Sequence, residues 1–121
     1  MNEKLPKTLK LKSKKQIESL FSEGNSTKAF PIILVSKKEK SLQTPVKVGF
    51  SVSKRRFKHA VDRNKIKRLM REYFRKNKYL FHPQKNEPQL LMFIFVGKTL
   101  PNYKSIEFAM NKLSKKYIKS C

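Results

Sequence analysis

The spacing of apolar residues predicts a short amphipathic helix near the start of the chain. Ile17, Leu20 and Phe21 fall three and four residues apart, as on one side of a helix. They follow Ser13-Lys14-Lys15-Gln16, which has the form of an N-terminal capping box, and precede Gly24-Asn25, a typical helix end. The helix is therefore expected to begin at the capping box and to end before the glycine.

Three later stretches have the pattern of strands. Residues 30–35 are rich in β-forming side chains, although Pro31 has no N–H for a ladder and belongs at a strand start, a bulge or an edge. Residues 46–53 alternate apolar with small or polar side chains, as in a strand that is buried on one face. Residues 89–96 are almost continuously apolar, which favours a central strand. Polar connections are expected at residues 37–44 and 77–88.

Between the last two strands lies a helical pattern that is also the most basic part of the chain. Residues 54–78 contain twelve Lys or Arg against Asp62 and Glu72, a net charge of +10 in 25 residues. The apolar positions repeat at helical spacing at Ile66, Leu69, Met70, Tyr73 and Phe74. The opposite side of the same helix carries Asn64, Lys67, Arg68, Arg71 and Arg75. One side is predicted to be core and the other to be cationic.

A last helix completes the expected fold. Leu100-Pro101-Asn102 is predicted to cap it, and its buried stripe is Ile106, Met110, Leu113 and Tyr117. The order of elements predicts an α+β fold, a small α/β sandwich with a short antiparallel or mixed sheet and a helix at each end of the chain. If the strands on either side of the basic helix pair in parallel, that helix is the crossover between them.

Composition and charge narrow the class of partner. The length of 121 residues predicts a single domain spanning residues 1–121, with residues 1–10 as a flexible tail. The chain has 30 Lys and Arg against 8 Asp and Glu, a formal net charge of +22. A charge this large is tolerated mainly where the partner is a polyanion, and arginine suits structured phosphates better than a lipid surface. Nucleic acid is the expected partner.

Other chemistry has little support in the sequence. The single cysteine, Cys121, permits neither an internal disulfide nor a cysteine zinc cluster, which favours a cytoplasmic location. The longest apolar run has seven residues, far short of the roughly 20 that a membrane span needs, and the start has no apolar signal segment. His59 and His82 have no evident triad partner, and no carboxylates pair at metal-binding spacing. We expect no catalytic group, metal, membrane or small-molecule substrate for the protein itself.

Two neighbouring segments resemble a known family. Val48-Gly49-Phe50-Ser51-Val52-Ser53-Lys54, followed by Ala60-Val61-Asp62-Arg63-Asn64-Lys65-Ile66-Lys67-Arg68-Leu69-Met70-Arg71-Glu72, resembles the signature of the protein subunit of bacterial ribonuclease P. The leading helix ending in Phe-x-x-Gly, matched by Phe21 to Gly24, and the closing helix extend the resemblance over nearly the whole chain. It implies an accessory subunit of the ribonucleoprotein that cuts the 5′ leader from precursor tRNA. The catalytic Mg²⁺ would belong to the RNA subunit, and the basic helix would be a left-handed crossover, against the usual rule.

The resemblance also implies two RNA-binding surfaces. The basic motif would contact the RNA subunit through Arg63, Asn64, Lys67, Arg68 and Arg71, with Lys54, Arg55 and Arg56 at its approach and with Lys65 and Arg75 beside it. Lys65 stands where the family usually has arginine, so bidentate geometry is lost there while the charge is kept.

A cleft between the first helix and the sheet would receive the leader, at Ile17, Phe21, Val35, Lys47, Ser51 and Ser53. Ile17 and Val35 stand where relatives often have aromatic residues, which predicts less base stacking. Ile17 and Phe21 suit a plain core role equally well.

Other classes of protein share parts of this pattern. A ribosomal protein or a general RNA chaperone would have similar charge and size, but it has no need for the Arg-Asn-x-x-Lys-Arg-x-x-Arg array after a Gly-Phe-Ser-Val-Ser strand. A helix-turn-helix DNA-binding protein would place a second helix beside the basic one, where strands are predicted instead. A membrane-active helix would leave the apolar strand without a cover.

Overall fold

The computed structural model describes residues 9–42, 44, 46–81 and 88–120 of the chain. Residues 119 and 120 are described by their backbone only. Its elements in chain order are α1 (Lys14–Glu23), β1 (Asn25–Ala29), β2 (Ile32–Lys38), β3 (Val46–Val52), α2 (Ala60–Lys76), a short 3₁₀ turn (Lys78–Phe81), β4 (Gln89–Phe95) and α3 (Tyr103–Ser120). The predicted helices all form, and the α+β class is confirmed.

The four strands form one mixed sheet in the order β1-β2-β4-β3. β2 pairs antiparallel with both β1 and β4, whereas β3 pairs parallel with β4. Because parallel strands point the same way, the chain has to return across the sheet between them, and α2 makes this return. The basic helix is therefore the crossover, as expected if these two strands were parallel, and β4 is a central strand.

One strand lies where none was predicted. β1 (Asn25–Ala29) is polar, and Ala29 is its only buried residue, so it has neither an apolar run nor a clear alternation. It is an edge strand that pairs only with β2, and a two-residue turn at Phe30 and Pro31 joins the two. The sequence pattern merged this turn with β2 because Phe30 and Pro31 adjoin apolar residues.

The main core lies between the sheet and the two longer helices. α2 contributes Ile66, Met70 and Phe74 to it, all fully buried, while Leu69 is only partly buried at its margin. The centre is a set of packed rings, in which Phe93 of β4 stacks on Phe50 at 5.7 Å and meets Phe81 edge-on at 5.3 Å. Phe81 lies in the predicted loop 77–88 and shows that its start is structured, while residues 82–87 are outside the described part.

A smaller apolar cluster lies on the other face of the sheet, under α1. Leu20 of α1 packs with Val35, Leu90 and Met92 of β2 and β4. Gly24 at the end of α1 allows this close approach, because a Cβ atom there would lie 2.4 Å from the Leu20 carbonyl oxygen and 2.7 Å from a Val35 methyl. α1 therefore covers the middle of the sheet and leaves the same face of β3 more open.

Local contacts explain where two helices begin and how the chain enters the fold. The Ser13 hydroxyl accepts a hydrogen bond from the Gln16 N–H at 3.2 Å, and Asn102 Oδ1 accepts one from the Ser105 N–H at 2.9 Å. Both caps agree with the sequence prediction. Most of the expected N-terminal tail lies outside the described residues, but Lys10 forms a parallel bridge with Val48, and the Leu11 N–H donates to the Val48 carbonyl at 2.9 Å.

The contact between α2 and α3 includes a buried phenol. The Tyr73 hydroxyl donates a hydrogen bond to Asn111 Oδ1, and burial raises the pKa of Tyr73 from 10.0 to about 12. Burial also raises the pKa of Tyr103, close to the same contact. The folded chain therefore keeps Tyr73 protonated to a higher pH than the unfolded chain does.

This contact predicts a specific dependence of stability on pH. Below the unfolded-state pKa of about 10, Tyr73 contributes its full stabilisation, which is lost as the pH rises toward the folded value of about 12. In urea unfolding at about pH 9 and about pH 11, the parent chain should lose more stability than Tyr73→Phe does. Phe108→Leu is the control, because Phe108 is an exposed ring without a titratable group and its loss should leave the parent pH dependence unchanged. Equal losses in the parent and Tyr73→Phe would contradict this assignment.

Candidate nucleic-acid interface

The connection between β3 and α2 presents three cations at one end of the sheet. Phe57 anchors it, because this side chain is buried and its ring lies 5.9 Å from that of Phe95. With Phe57 directed inward, Lys54, Arg55 and Arg56 before it are exposed. The anchored connection therefore holds these cations beside the N-terminus of α2.

Two arginines of the predicted site also hold the backbone. Arg63 Nη1 donates to the carbonyl oxygens of Phe57 at 2.8 Å and Lys58 at 3.0 Å, so it fastens the connection to the first turn of α2. Arg56 donates to the carbonyl of Val96 and joins the connection to the end of β4. These positioning roles were missed from the sequence, where an arginine that binds a backbone carbonyl looks the same as one that faces solvent.

The outward side of α2 carries a row of cations, which we call the motif face. Asn64 and Arg68 are exposed, while Lys67, Arg71 and Arg75 are half-buried along their length. Arg71 lies over the ring of Phe50, with 5.8 Å from its guanidinium carbon to the ring centroid. The structure thus brings these five residues together, as the helical spacing predicted.

Lys65 lies on a different flank of α2 from the motif face. It precedes Glu72 by seven residues, so the two share a side of the helix. On that flank Glu72 forms an ion pair with Lys76 at 3.2 Å, and the Lys76 ammonium lies 5.4 Å from the Tyr103 ring centroid. A second ion pair in the described part of the chain joins Lys37 to Glu23 at 3.6 Å, in β2 and α1 rather than on α2. Neither pair neutralises the motif face.

The residues predicted for the second surface are divided between the sheet interior and its open part. Phe21 is 51% exposed on α1, and Lys47 and Ser51 of β3 are partly exposed on the same side of the sheet. Ser53 follows the end of β3 and is exposed, while Ile17 is half-buried in the cluster under α1. Val35 is buried beneath α1, and one of its methyl groups lies so close to Gly24 that a Cβ atom there would be 2.7 Å from it.

The floor of this second surface includes residues that were not predicted to belong to it. Gly49 of β3 is paired with Met92 of β4, and a Cβ atom at Gly49 would lie 2.8 Å from the Met92 methyl. Ile94 is half-buried next to Ser51 in the same register. The sequence could not identify Met92 and Ile94 in this role, because β4 is apolar on both faces and its continuous apolar run does not show which face each side chain takes. We call Phe21, Lys47, Gly49, Ser51 and Ile94 the α1–β3 surface.

Other chemical groups are sparse in the described residues. No group of three or more His, Cys, Asp or Glu in that part of the chain could hold a metal ion. His59 is exposed at the start of α2 and makes no side-chain cap, while His82 and Cys121 lie outside the described residues. Among the helices of the described part, none is both long and apolar enough to cross a membrane.

Together these features define a small, basic α+β protein with a continuous cationic face that suits a polyanion. The family model of ribonuclease P matches residues 5–118, and the chain belongs to this family. The chain is 34% identical over 116 residues to the ribonuclease P protein component of Porphyromonas gingivalis. The matched region covers 89% of this chain and 82% of that relative. The relative from Chlorobaculum tepidum is 38% identical over 78 residues, 61% of this chain and 51% of its own length.

Solved structures agree with this assignment at the level of the fold. The Staphylococcus aureus ribonuclease P protein matches with a TM-score of 0.75 at 22% identity, over 89% of this chain and 94% of that one. The Thermotoga maritima protein matches with a TM-score of 0.72 at 22% identity, over 88% and 96%. The chain is thus a protein component of the ribonuclease P holoenzyme, the endoribonuclease of tRNA 5′ maturation, and its partner is ribonuclease P RNA.

The two backbone contacts of Arg63 predict a stability effect that its neighbour lacks. Arg63→Ala should lower the free energy of unfolding by about 1.5 to 3 kcal/mol, the usual range for hydrogen bonds to a charged group. Lys65→Ala is the matched control and should change it by no more than about 0.5 kcal/mol, because Lys65 is exposed. Urea unfolding without RNA measures both. If Arg63→Ala is as stable as Lys65→Ala, the positioning role is wrong.

Proposed function

We propose that the chain binds the RNA subunit through the motif face together with the connection that precedes α2. The residues assigned to this contact are Lys54, Arg55, Arg56, Arg63, Asn64, Lys65, Lys67, Arg68, Arg71 and Arg75. The observation that carries the proposal is the exposed Arg68, which has no partner within the described residues and stands between other cations of the motif face. RNA phosphates would supply the missing negative charge.

Repulsion among the cations of the motif face supports its proposed contact with RNA. Cations four residues apart on one helix side, such as Lys67, Arg71 and Arg75, destabilise an isolated helix through mutual repulsion. Phosphates placed along the motif face would turn this repulsion into attraction and would release counterions. Binding should therefore be strongest at low salt and should weaken steeply as salt is added.

We further propose that the α1–β3 surface receives the single-stranded leader of precursor tRNA. The half-exposed ring of Phe21 is available for stacking with a base, and Lys47, Ser51 and Ser53 offer donors to the leader phosphates. Ile17 and Val35 would shape this surface from beneath, since one is half-buried and the other is buried. The two proposed RNA contacts thus use opposite faces of the sheet.

In this proposal the protein positions RNA and the RNA subunit performs the chemistry. Mg²⁺ held by the RNA subunit would activate the water and stabilise the leaving oxygen, while the cations of the protein lower the repulsion between two polyanions. The whole chain, residues 1–121, would act as one RNA-binding domain in the cytoplasm. Cleavage of precursor tRNA at low Mg²⁺ should therefore be faster with the protein than with the RNA subunit alone.

Arg68→Ala tests the contact with the RNA subunit. The substitution should weaken binding to ribonuclease P RNA by about 1 to 3 kcal/mol, while the unfolding midpoint without RNA stays close to that of the parent. The slope of log affinity against log salt should fall by roughly one phosphate contact. Lys115→Ala on the exposed side of α3 removes the same charge outside the motif face and should have a smaller effect. Equal effects of the two substitutions would contradict a localised interface.

Phe21→Leu tests the contact with the leader. Leucine keeps much of the apolar volume but has no ring, so a stacking contribution of about 1 to 3 kcal/mol should be lost. The readout is the ratio of the holoenzyme's dissociation constants for precursor and mature tRNA, which should move toward one. Phe108→Leu is the control, because Phe108 is an exposed ring on α3. An unchanged ratio with normal folding and assembly would show that Phe21 makes no leader contact.

A further inference from the structure

A cavity of about 450 Å³ opens at the end of the sheet where β4 finishes. Phe30, Pro31 and Phe95 line it from the sheet, and Leu100, Pro101 and Asn102 line it from the segment before α3. Phe30 is 77% exposed and Leu100 is 48% exposed, so two large apolar side chains form an open rim. We call this cavity the end pocket, and its volume lies within the range of ligand sites, about 300 to 1,000 Å³.

The walls of the end pocket are apolar, but one side offers hydrogen-bonding groups. Asn102 Oδ1 accepts from the Ser105 N–H at 2.9 Å, which holds the Asn102 side chain and leaves its Nδ2 as a donor. The Ser105 hydroxyl donates to the Asn102 carbonyl at 2.9 Å and keeps acceptor capacity on its oxygen. A flat ring with a polar edge could pack its faces against the apolar walls and form hydrogen bonds with Asn102 and Ser105 through its edge.

The electrostatic surroundings of the end pocket are those of an anion site. Lys98 lines the pocket, and no acidic residue is among the lining residues that the structure describes. Arg56 donates to the carbonyl of Val96, next to the pocket residue Gly97, so its guanidinium is tied to the same loop. Because β3 and β4 are parallel, the connection after β3 and the segment after β4 emerge at the same end of the sheet. The end pocket therefore lies at the same end of the sheet as the cations that lead to the motif face.

We propose that the end pocket receives one unpaired nucleobase of ribonuclease P RNA, stacked on Phe30, with the adjoining phosphate near Lys98 and Arg56. The inference rests on the proposed binding of the RNA subunit by α2. An aromatic ring next to cations is the arrangement that binds single-stranded nucleotides in RNA-binding proteins. Phe95 belongs to the core under α2 and α3, on the opposite face of the sheet from α1. The RNA subunit, rather than the leader, is therefore the RNA that reaches this pocket.

Replacing the ring at the rim tests the end pocket directly. Phe30→Ala should weaken binding to ribonuclease P RNA by about 5- to 150-fold, the loss expected for one stacked base, with an unchanged salt slope because no charge is removed. Phe30→Tyr should restore most of the affinity, since it keeps the ring. Phe108→Ala is the matched control, because Phe108 is 63% exposed on α3 and lies outside the pocket. A Phe30→Ala affinity within twofold of that control would overturn the proposal.

A second variant covers the possibility that Phe30→Ala disturbs the turn between β1 and β2. Lys98→Ala lies on an exposed segment and should weaken binding and lower the salt slope by about 1, as expected for one lost phosphate contact. If Phe30→Ala unfolds and Lys98→Ala binds like the parent, the proposal fails.

Photo-crosslinking identifies the RNA that occupies the pocket. Phe30→p-benzoylphenylalanine in the assembled holoenzyme should crosslink to a single unpaired nucleotide of the RNA subunit, with or without precursor tRNA. Crosslinks confined to precursor tRNA, or absent from both RNAs, would overturn the assignment.

Arg68→Ala, measured in the binding assay used for Phe30→Ala, separates failure of the end pocket from failure of the proposed RNA binding by α2. If it weakens binding while Phe30→Ala does not, only the end pocket is wrong; if neither does, the binding of RNA by α2 is wrong as well.

Discussion

The parallel pairing of β3 with β4 is the constraint on which the remaining structure depends. It forces the chain to return across the sheet through α2, and burial of Ile66, Met70 and Phe74 then fixes the rotation of that helix about its axis. The cations occupy the side that remains. Because the same pairing puts the ends of β3 and β4 together, the connection before α2 and the segment before α3 also meet at one end of the molecule.

Much of this fold can be predicted from the sequence, because its helices and β4 have strong apolar patterns. β1 could not be predicted in this way, since an edge strand with one buried residue carries no periodic signal. The candidate site shows a similar division. Helical spacing predicts which residues of α2 face outward, but it does not predict that Arg63 turns back to two carbonyls or that Val35 lies under α1. Those outcomes depend on contacts between segments that are distant along the chain.

The sheet also separates the two proposed RNA contacts by placing them on opposite faces. The cluster under α1 and the larger core under α2 and α3 are packed independently, with the sheet between them. A change in the α1–β3 surface can therefore leave the motif face in place. In the proposed arrangement the protein would lie between two RNA molecules, and its cations would lower the repulsion between them.

The short pairing of Lys10 and Leu11 with β3 has a consequence for the chain before it meets RNA. The outer edge of β3 would otherwise offer unpaired backbone groups, which are templates for a strand from another copy. The N-terminal segment occupies the middle of that edge at Val48. The opposite edge belongs to the polar β1, where the Lys116 ammonium donates to the Lys28 carbonyl at 2.6 Å. At both edges of the sheet, backbone groups are thus already paired, which disfavours edge-to-edge association between copies of the chain.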